Sequence, residues 1–175
     1  MGLCDAAMRF FSDNAAAAHP KVIEAIADAN RLATAYDGDE WSQRLDGAFS
    51  DLFGTQVRAL WVTTGTAANC LALAAMCPSY RATLCHKDAP MENDEAGAPG
   101  FYTGGAKLIL LEGQGAKIAP ETVERAIVGE GFVHSVQPGA ISITQATEMG
   151  TVYKPAEFAA VSAVAKRHKM LLDMG

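Results

Sequence analysis

Basic residues are in the minority in this chain. Its 175 residues carry 14 lysines and arginines against 20 aspartates and glutamates, a formal net charge of −6. No basic excess exists to displace counterions from a phosphate backbone, which argues against a nucleic-acid binder. Long apolar runs are also missing. None approaches the roughly 20 residues that span a bilayer, and the first twelve residues lack the basic start and apolar middle of a signal peptide. The expectation is a soluble, cytoplasmic chain without a membrane partner. Cysteine is scarce: Cys4, Cys70, Cys77 and Cys85 form no C-x-x-C pair and are too few for a disulfide scaffold. Cys70 and Cys77 read as small buried hydrophobes on one helix. His19, His86, His134 and His168 form no H-x-x-x-H pair, so no zinc site is indicated. The glycine patterns of dinucleotide and nucleoside-triphosphate loops are absent as well.

What is present is enough apolar sequence for a core: 50% of the residues are hydrophobic and 19% charged. Pro20 opens a helix reaching about Ala33, with Val22, Ile23 and Ile26 on one face. Asp37 is the expected N-cap of a second helix ending at Phe53, with Gly54 as its stop. Residues 57–63 are rich in β-branched and aromatic side chains and read as a strand. Strands are also expected at 81–85, 106–111, 140–145 and 170–173, and helices at 67–76, 120–128 and 155–168. Residues 86–105 read as a long polar loop. Alternation of this kind implies right-handed crossovers and an α/β fold, a mostly parallel sheet with helices on both faces. The continuous apolar run Leu108-Ile109-Leu110-Leu111 suits a strand covered on both sides. A closing strand at 170–173 has no covering helix after it, so more chain or a partner is expected there.

Ligands of open α/β sheets bind beyond the carboxyl ends of the strands. That rule selects 63–69, 85–94, 144–148 and Asp173. In the first, Thr64-Gly65-Thr66 joins a strand to a helix, Gly65 is free to take an unusual backbone angle, and the amides of Thr66 and Ala67 are offered to an anion such as phosphate. The plainer alternative is a simple helix cap. Asp173 ends an apolar strand; it either meets a cationic partner or is a solvated strand-end acid. Asp88, Glu92, Asp94 and Glu95 read as a solvated acidic surface, with Glu95 able to turn inward.

Several stretches taken together resemble the low-specificity L-threonine aldolases, closest to a phenylserine-aldolase-like branch. They are Phe11-Ser12-Asp13-Asn14, Tyr36-Asp37-Gly38-Asp39-Glu40, Thr64-Gly65-Thr66-Ala67-Ala68-Asn69, Asp94-Glu95-Ala96-Gly97-Ala98, Phe101-Tyr102-Thr103-Gly104-Gly105-Ala106-Lys107-Leu108, Ile143-Thr144-Gln145 and Gly150-Thr151-Val152-Tyr153. The resemblance implies a pyridoxal-phosphate enzyme of the aspartate-aminotransferase type of fold, a homodimer or homotetramer, cleaving β-hydroxy-α-amino acids to glycine and an aldehyde. A β-eliminating lyase of the same fold and a non-catalytic binder of a phosphorylated ligand are the alternatives. By similarity Gly65, Thr66 and Ala67 hold the cofactor phosphate and Asp173 faces the pyridine nitrogen. Ser12 meets the substrate carboxylate, and His134 matches a histidine near the substrate hydroxyl. Residues 1–35 become an N-terminal arm and helix and 36–175 part of the cofactor-binding large domain, with the small C-terminal domain absent.

Three departures accompany the resemblance. The family's ring-stacking histidine falls on Pro90, which has neither a π-face nor a proton to exchange. Its Asp-Gly pair reads Asp173-Met174-Gly175 here, and a one-residue slip turns a strand side chain to the opposite face. No lysine among positions 21, 87, 107, 117, 154, 166 and 169 stands where the family places its Schiff-base lysine. The expectation is therefore an N-terminal portion, incomplete at its C-terminal end and inactive alone.

Overall fold

A computed structural model describes residues 15–175. The chain divides into two compact units between Leu60 and Trp61. That division groups the second helix with the N-terminal segment, whereas the sequence suggested grouping everything from residue 36 with the sheet. Among the described residues no helix is long and apolar enough to cross a membrane.

In the first unit, α1 spans Pro20–Ala29 and α2 spans Glu40–Phe53. The α2 cap is Asp39 and not Asp37. The Asp39 carboxylate accepts from the Trp41 and Ser42 amides at 3.0 and 2.9 Å, whereas Asp37 sits before it at φ 60°. Gly54, at φ 63°, ends the helix in the left-handed conformation that glycine adopts without strain.

The expected strand at 57–63 does not form. A strand needs a neighbour's carbonyls for its N–H groups. Here the Val57 amide donates to Ser50 Oγ at 3.1 Å and the Ala59 amide to Asp46 Oδ1 at 2.8 Å, so α2 side chains satisfy the donors a ladder would have used.

The second unit opens with α3, Gly65–Met76, and then builds a parallel sheet from β1 (Arg81–His86), β2 (Lys107–Leu111), β3 (Gln137–Ile143) and β4 (Leu171–Met174). Their spatial order is β2-β1-β3-β4. The expected polar loop at 86–105 contains two short helices, α4 (Pro90–Asn93) and α5 (Ala98–Tyr102). Each has proline in its first turn, where no amide is needed, and each is anchored by one buried apolar residue, Met91 or Pro99. α6 spans Pro120–Ala126 and α7 spans Pro155–Arg167.

Alternation along β1 puts Leu84 and Cys85, both 0% exposed, on opposite faces. Leu84 joins Ile141, Ile143, Val123, Val161 and Val164 in the core under α6 and α7. Cys85 meets Leu73 of α3 and Met91 on the other face. Helices therefore cover both faces, as the α/β alternation implied. One irregularity marks β3: the pairing with β1 skips Gly139 between Pro138 and Ala140. Pro138 has no amide to give, and a Cβ on Gly139 would stand 2.8 Å from Arg81 Cδ.

Candidate functional site

Because every pairing is parallel, the carboxyl ends of all four strands lie along one edge of the sheet. Asp173 is near that edge on β4. It pairs with Ser142 of β3, and Ile143 follows opposite Met174, with no bulge in this ladder. Ile141, Ile143 and Leu172 belong to the α6/α7 core, so Ser142 and Asp173 face the other way, toward α3, which packs against both strands. No bulge in this ladder absorbs the one-residue offset from the family's Asp-Gly spacing; the Asp173 carboxylate is on the α3 face in the register that the ladder gives it.

Ser142 Oγ, on a residue only 2% exposed, donates to Asp173 Oδ2 at 2.7 Å. Burial pushes the Asp173 carboxyl above the ordinary aspartate range; the Ser142 hydroxyl and the Met174 amide pull it partly back. A cation brought to this carboxylate would be held by an uncompensated, poorly hydrated charge.

At the start of α3, Thr64 is extended and caps the helix: its hydroxyl accepts from the Ala67 amide at 3.0 Å. The Ala67 N–H, expected to be free for an anion, is therefore engaged by its own cap. The Gly65 and Thr66 amides have no partner among the described residues. Nor is Gly65 in the left-handed region expected of it; it is simply the first helical residue. Among the described residues nothing lies within 4 Å of the place a Cβ would occupy, so the helix start faces open space. α3 thus begins with two unpaired amides beside open space, the arrangement in which a helix N-terminus receives an anion.

Asn69, one turn further along α3, approaches β4 closely. Its Oδ1 is 3.1 Å from the position of a Cβ on Gly175, two residues beyond Asp173. The helix that carries the free amides and the strand that carries the acid therefore meet at the same edge of the sheet, on the same face.

Other expected site residues are not part of this grouping. Ser12 lies outside the described residues. His134 is exposed in the segment that leads into β3, its ring edge-on to Phe132 at 5.5 Å. That position is at the amino end of a parallel sheet, opposite the edge that holds Asp173. Pro90 begins α4. His86, four residues earlier, does not replace the absent histidine. Its Nδ1 accepts from the Asp88 amide at 3.1 Å, which leaves Nε2–H to donate to the Gly113 carbonyl at 3.2 Å. It also follows Cys85 and so faces the α6/α7 side.

Of the acidic group at 88–95, Glu95 does turn inward and is 6% exposed. Ser142 escaped the sequence reading, although a lone hydroxyl between Ile141 and Ile143 on a buried strand was the available signal. A groove of about 900 Å³ lies elsewhere, between α6 and the start of α7, and is lined by Lys117, Tyr153 and Glu157 among others.

Comparison with known proteins bears on the family and the fold. The chain is 39% identical over 173 residues to the low specificity L-threonine aldolase of Pseudomonas aeruginosa, covering 98% of this chain and 50% of that protein. It is 36% identical over 173 residues to the enzyme of the same description from a Pseudomonas species, again covering 98% and 50%. The chain therefore spans about half the length of these curated relatives. Among solved structures, threonine aldolase from Leishmania major superposes with a TM-score of 0.84 at 22% identity, over 91% of this chain and 47% of that one. N-Succinyldiaminopimelate aminotransferase from Mycobacterium tuberculosis superposes with a TM-score of 0.62 at 18% identity, over 89% and 41%. These two likenesses establish the fold, the aminotransferase type that the sequence resemblance implied. A family model described as beta-eliminating lyase matches residues 9–174 and so takes in both α3 and Asp173. With its parallel sheet, its open helix start and its strand-end acid inside that match, the chain belongs to the beta-eliminating lyase family.

Proposed function

We propose that these residues form the cofactor-binding core of a pyridoxal-phosphate-dependent lyase that cleaves β-hydroxy-α-amino acids, of the threonine and phenylserine type, to glycine and an aldehyde. The observation that carries the reading is the meeting of the α3 start and Asp173 on one face and one edge of the sheet. The donor set suits the group. Two unpaired amides at a helix N-terminus match a phosphate. A carboxylate whose burial disfavours its lone charge matches a ring nitrogen that carries a proton. When bound, the cofactor supplies an electron sink for the pair released as a Cα–Cβ bond breaks.

The chain's own residues would then divide the work. Gly65 and Thr66 bind the phosphate through their amides, with the Thr66 hydroxyl beside them. Asp173 holds the proton on the ring nitrogen, and Ser142 fixes the rotamer from which it does so. Thr64 keeps the helix start open by satisfying the Ala67 amide internally.

The lysines argue that these residues do not turn over substrate by themselves. Lys107 opens β2 and Lys169 precedes β4, both at the amino edge. Lys117 is paired with Glu157 on the α6/α7 side, and Lys87 with Glu112. None of these four pairs with Asp173, and imine exchange needs an amine at the cofactor's aldehyde carbon, across the ring from the nitrogen that Asp173 would face.

A second reading, β-elimination, is favoured by the family description itself and by the position of His134. With that histidine at the far end of the sheet, no residue yet assigned takes a hydroxyl proton, the step that distinguishes a retro-aldol cleavage.

Titration with pyridoxal 5′-phosphate and separately with pyridoxal, followed by borohydride reduction, tests the binding reading. The expected result is uptake of the phosphorylated form only, with no stoichiometric adduct on a native lysine. Equal uptake of both forms would remove the phosphate from the argument, and a single modified lysine together with glycine release from threonine would overturn the predicted inactivity. In a longer form that turns over, glycine plus aldehyde against pyruvate plus ammonia separates the two reactions.

A further inference from the structure

The mechanism above leaves one buried acid unused. Glu95 is 6% exposed, and no cation pairs with it among the described residues. Its Oε1 accepts from Asn69 Nδ2 at 2.6 Å and its Oε2 from the Cys70 thiol at 3.9 Å. A buried carboxylate without a cation is costly to keep, and a solvated surface residue would avoid that cost.

Its geometry suggests what the burial achieves. Asn69 presents its NH2 to Glu95 and so turns its carbonyl oxygen away. That oxygen rests over Gly175, 3.1 Å from the place of a Cβ. Gly175 itself cannot yield easily: its amide donates to the Ile143 carbonyl at 2.9 Å and its carbonyl accepts from the Gln145 amide at 2.9 Å. Glu95 is thus hydrogen-bonded to Asn69, and the Asn69 oxygen faces the open side of Gly175, so the three residues link the segment before α5, through α3, to the chain leaving β4. One end of the proposed cofactor site is on α3, and the other is on β4.

We propose that Glu95 is a positioning residue: by gripping Asn69 it sets the separation between the free amides of α3 and the Asp173 carboxyl. The inference rests on the cofactor reading and adds to it the device that holds the two ends in register. A rigid ligand that touches both ends is sensitive to their separation. An anion that touches only the helix start is not.

The test compares two ligands on the full chain, pyridoxal 5′-phosphate and inorganic phosphate, with far-ultraviolet circular dichroism and a urea midpoint recorded for each variant. Glu95→Ala is expected to weaken pyridoxal 5′-phosphate about tenfold more than inorganic phosphate, the loss of one well-aligned charged hydrogen bond. Glu95→Gln, which can still accept from Asn69, is expected to restore the ratio to within about twofold of the parent. Should Glu95→Ala fail to fold, the double variant Asn69→Ala/Glu95→Met removes both partners and leaves no orphaned charge. It is expected to show the same selective loss. Equal weakening of both ligands, or an unchanged ratio with a lowered urea midpoint, overturns the positioning role and leaves Glu95 a structural residue. A parent chain that binds inorganic phosphate but not pyridoxal 5′-phosphate overturns the cofactor reading first, and the positioning role with it.

Discussion

Removing the Ser142 hydroxyl probes the acid end of the site without touching Asp173. Ser142 is 2% exposed, so water does not replace the lost donor, and its Oγ is 2.7 Å from Asp173 Oδ2. A hydrogen bond to an ionised acceptor contributes roughly 1.5–3 kcal/mol, so Ser142→Ala is expected to destabilise the fold by about 2 kcal/mol at neutral pH. That is roughly a 30-fold change in the folding equilibrium. The pH dependence has a definite sign. Burial raises the folded carboxyl above its unfolded value, so the folded state holds its proton to higher pH and stability rises as pH falls through the folded value. The hydroxyl opposes that shift, so its removal pushes the carboxyl higher still. The Ser142→Ala penalty is therefore full where Asp173 is ionised and shrinks once it is protonated. Urea unfolding at about pH 7 and at about pH 4 compares the penalty at two points of that titration, and the same pair in an Asp173→Asn background closes a double-mutant cycle. In that background the penalty is expected to fall to about 1 kcal/mol or less, the value of a neutral hydrogen bond, and to lose its pH dependence. A penalty that is equal at both pH values, or indifferent to Asp173→Asn, refutes the reasoning.

Two further outcomes follow from the core. Leu84, 0% exposed at the centre of the sheet, joins β1 to both α6 and α7, so Leu84→Ala is expected to cost about 3–4 kcal/mol in urea unfolding; a loss under about 1 kcal/mol would mean that the α6/α7 core is not packed as described. Burial, with the Glu92 charge adding to it, pushes the Cys85 thiol up to about 12. Alkylation near pH 8 is therefore expected to spare Cys85 in the native chain and to reach it in urea, and rapid native labelling of Cys85 by mass spectrometry would contradict its burial.

The two ends of the proposed site differed in how visible they were beforehand. Thr64-Gly65-Thr66 announces a helix start by composition alone, because an extended capping residue followed by a small one is a local arrangement of backbone and side chain. Which amides stay free is less local. The Thr64 hydroxyl could have pointed to a ligand and instead takes the Ala67 amide. His134 illustrates the opposite case. A histidine is conspicuous in a sequence, but which end of a strand it adjoins is decided by the fold, and His134, three residues before β3, adjoins the amino end and not the end that holds Asp173.

The amino-acid sequence by itself determined the alternation of helices and strands, the coverage of both faces of the sheet, and the resemblance that led to the family. These depend on periodicity, proline and glycine placement, and short motifs, all of which act over a few residues. Tertiary structure decided the rest. Residues 57–63 have strand composition, but the Val57 and Ala59 amides donate to Ser50 and Asp46, a competition that propensity cannot express. Glu95 has the composition of a surface acid and becomes buried because Asn69, 26 residues earlier, is brought to it. Asp173 reaches the α3 face because β4 pairs in unbroken register with β3, and only the ladder states that register. Contacts between residues far apart in the chain choose the partner of each polar group, and those partners settle which groups remain free to meet a ligand.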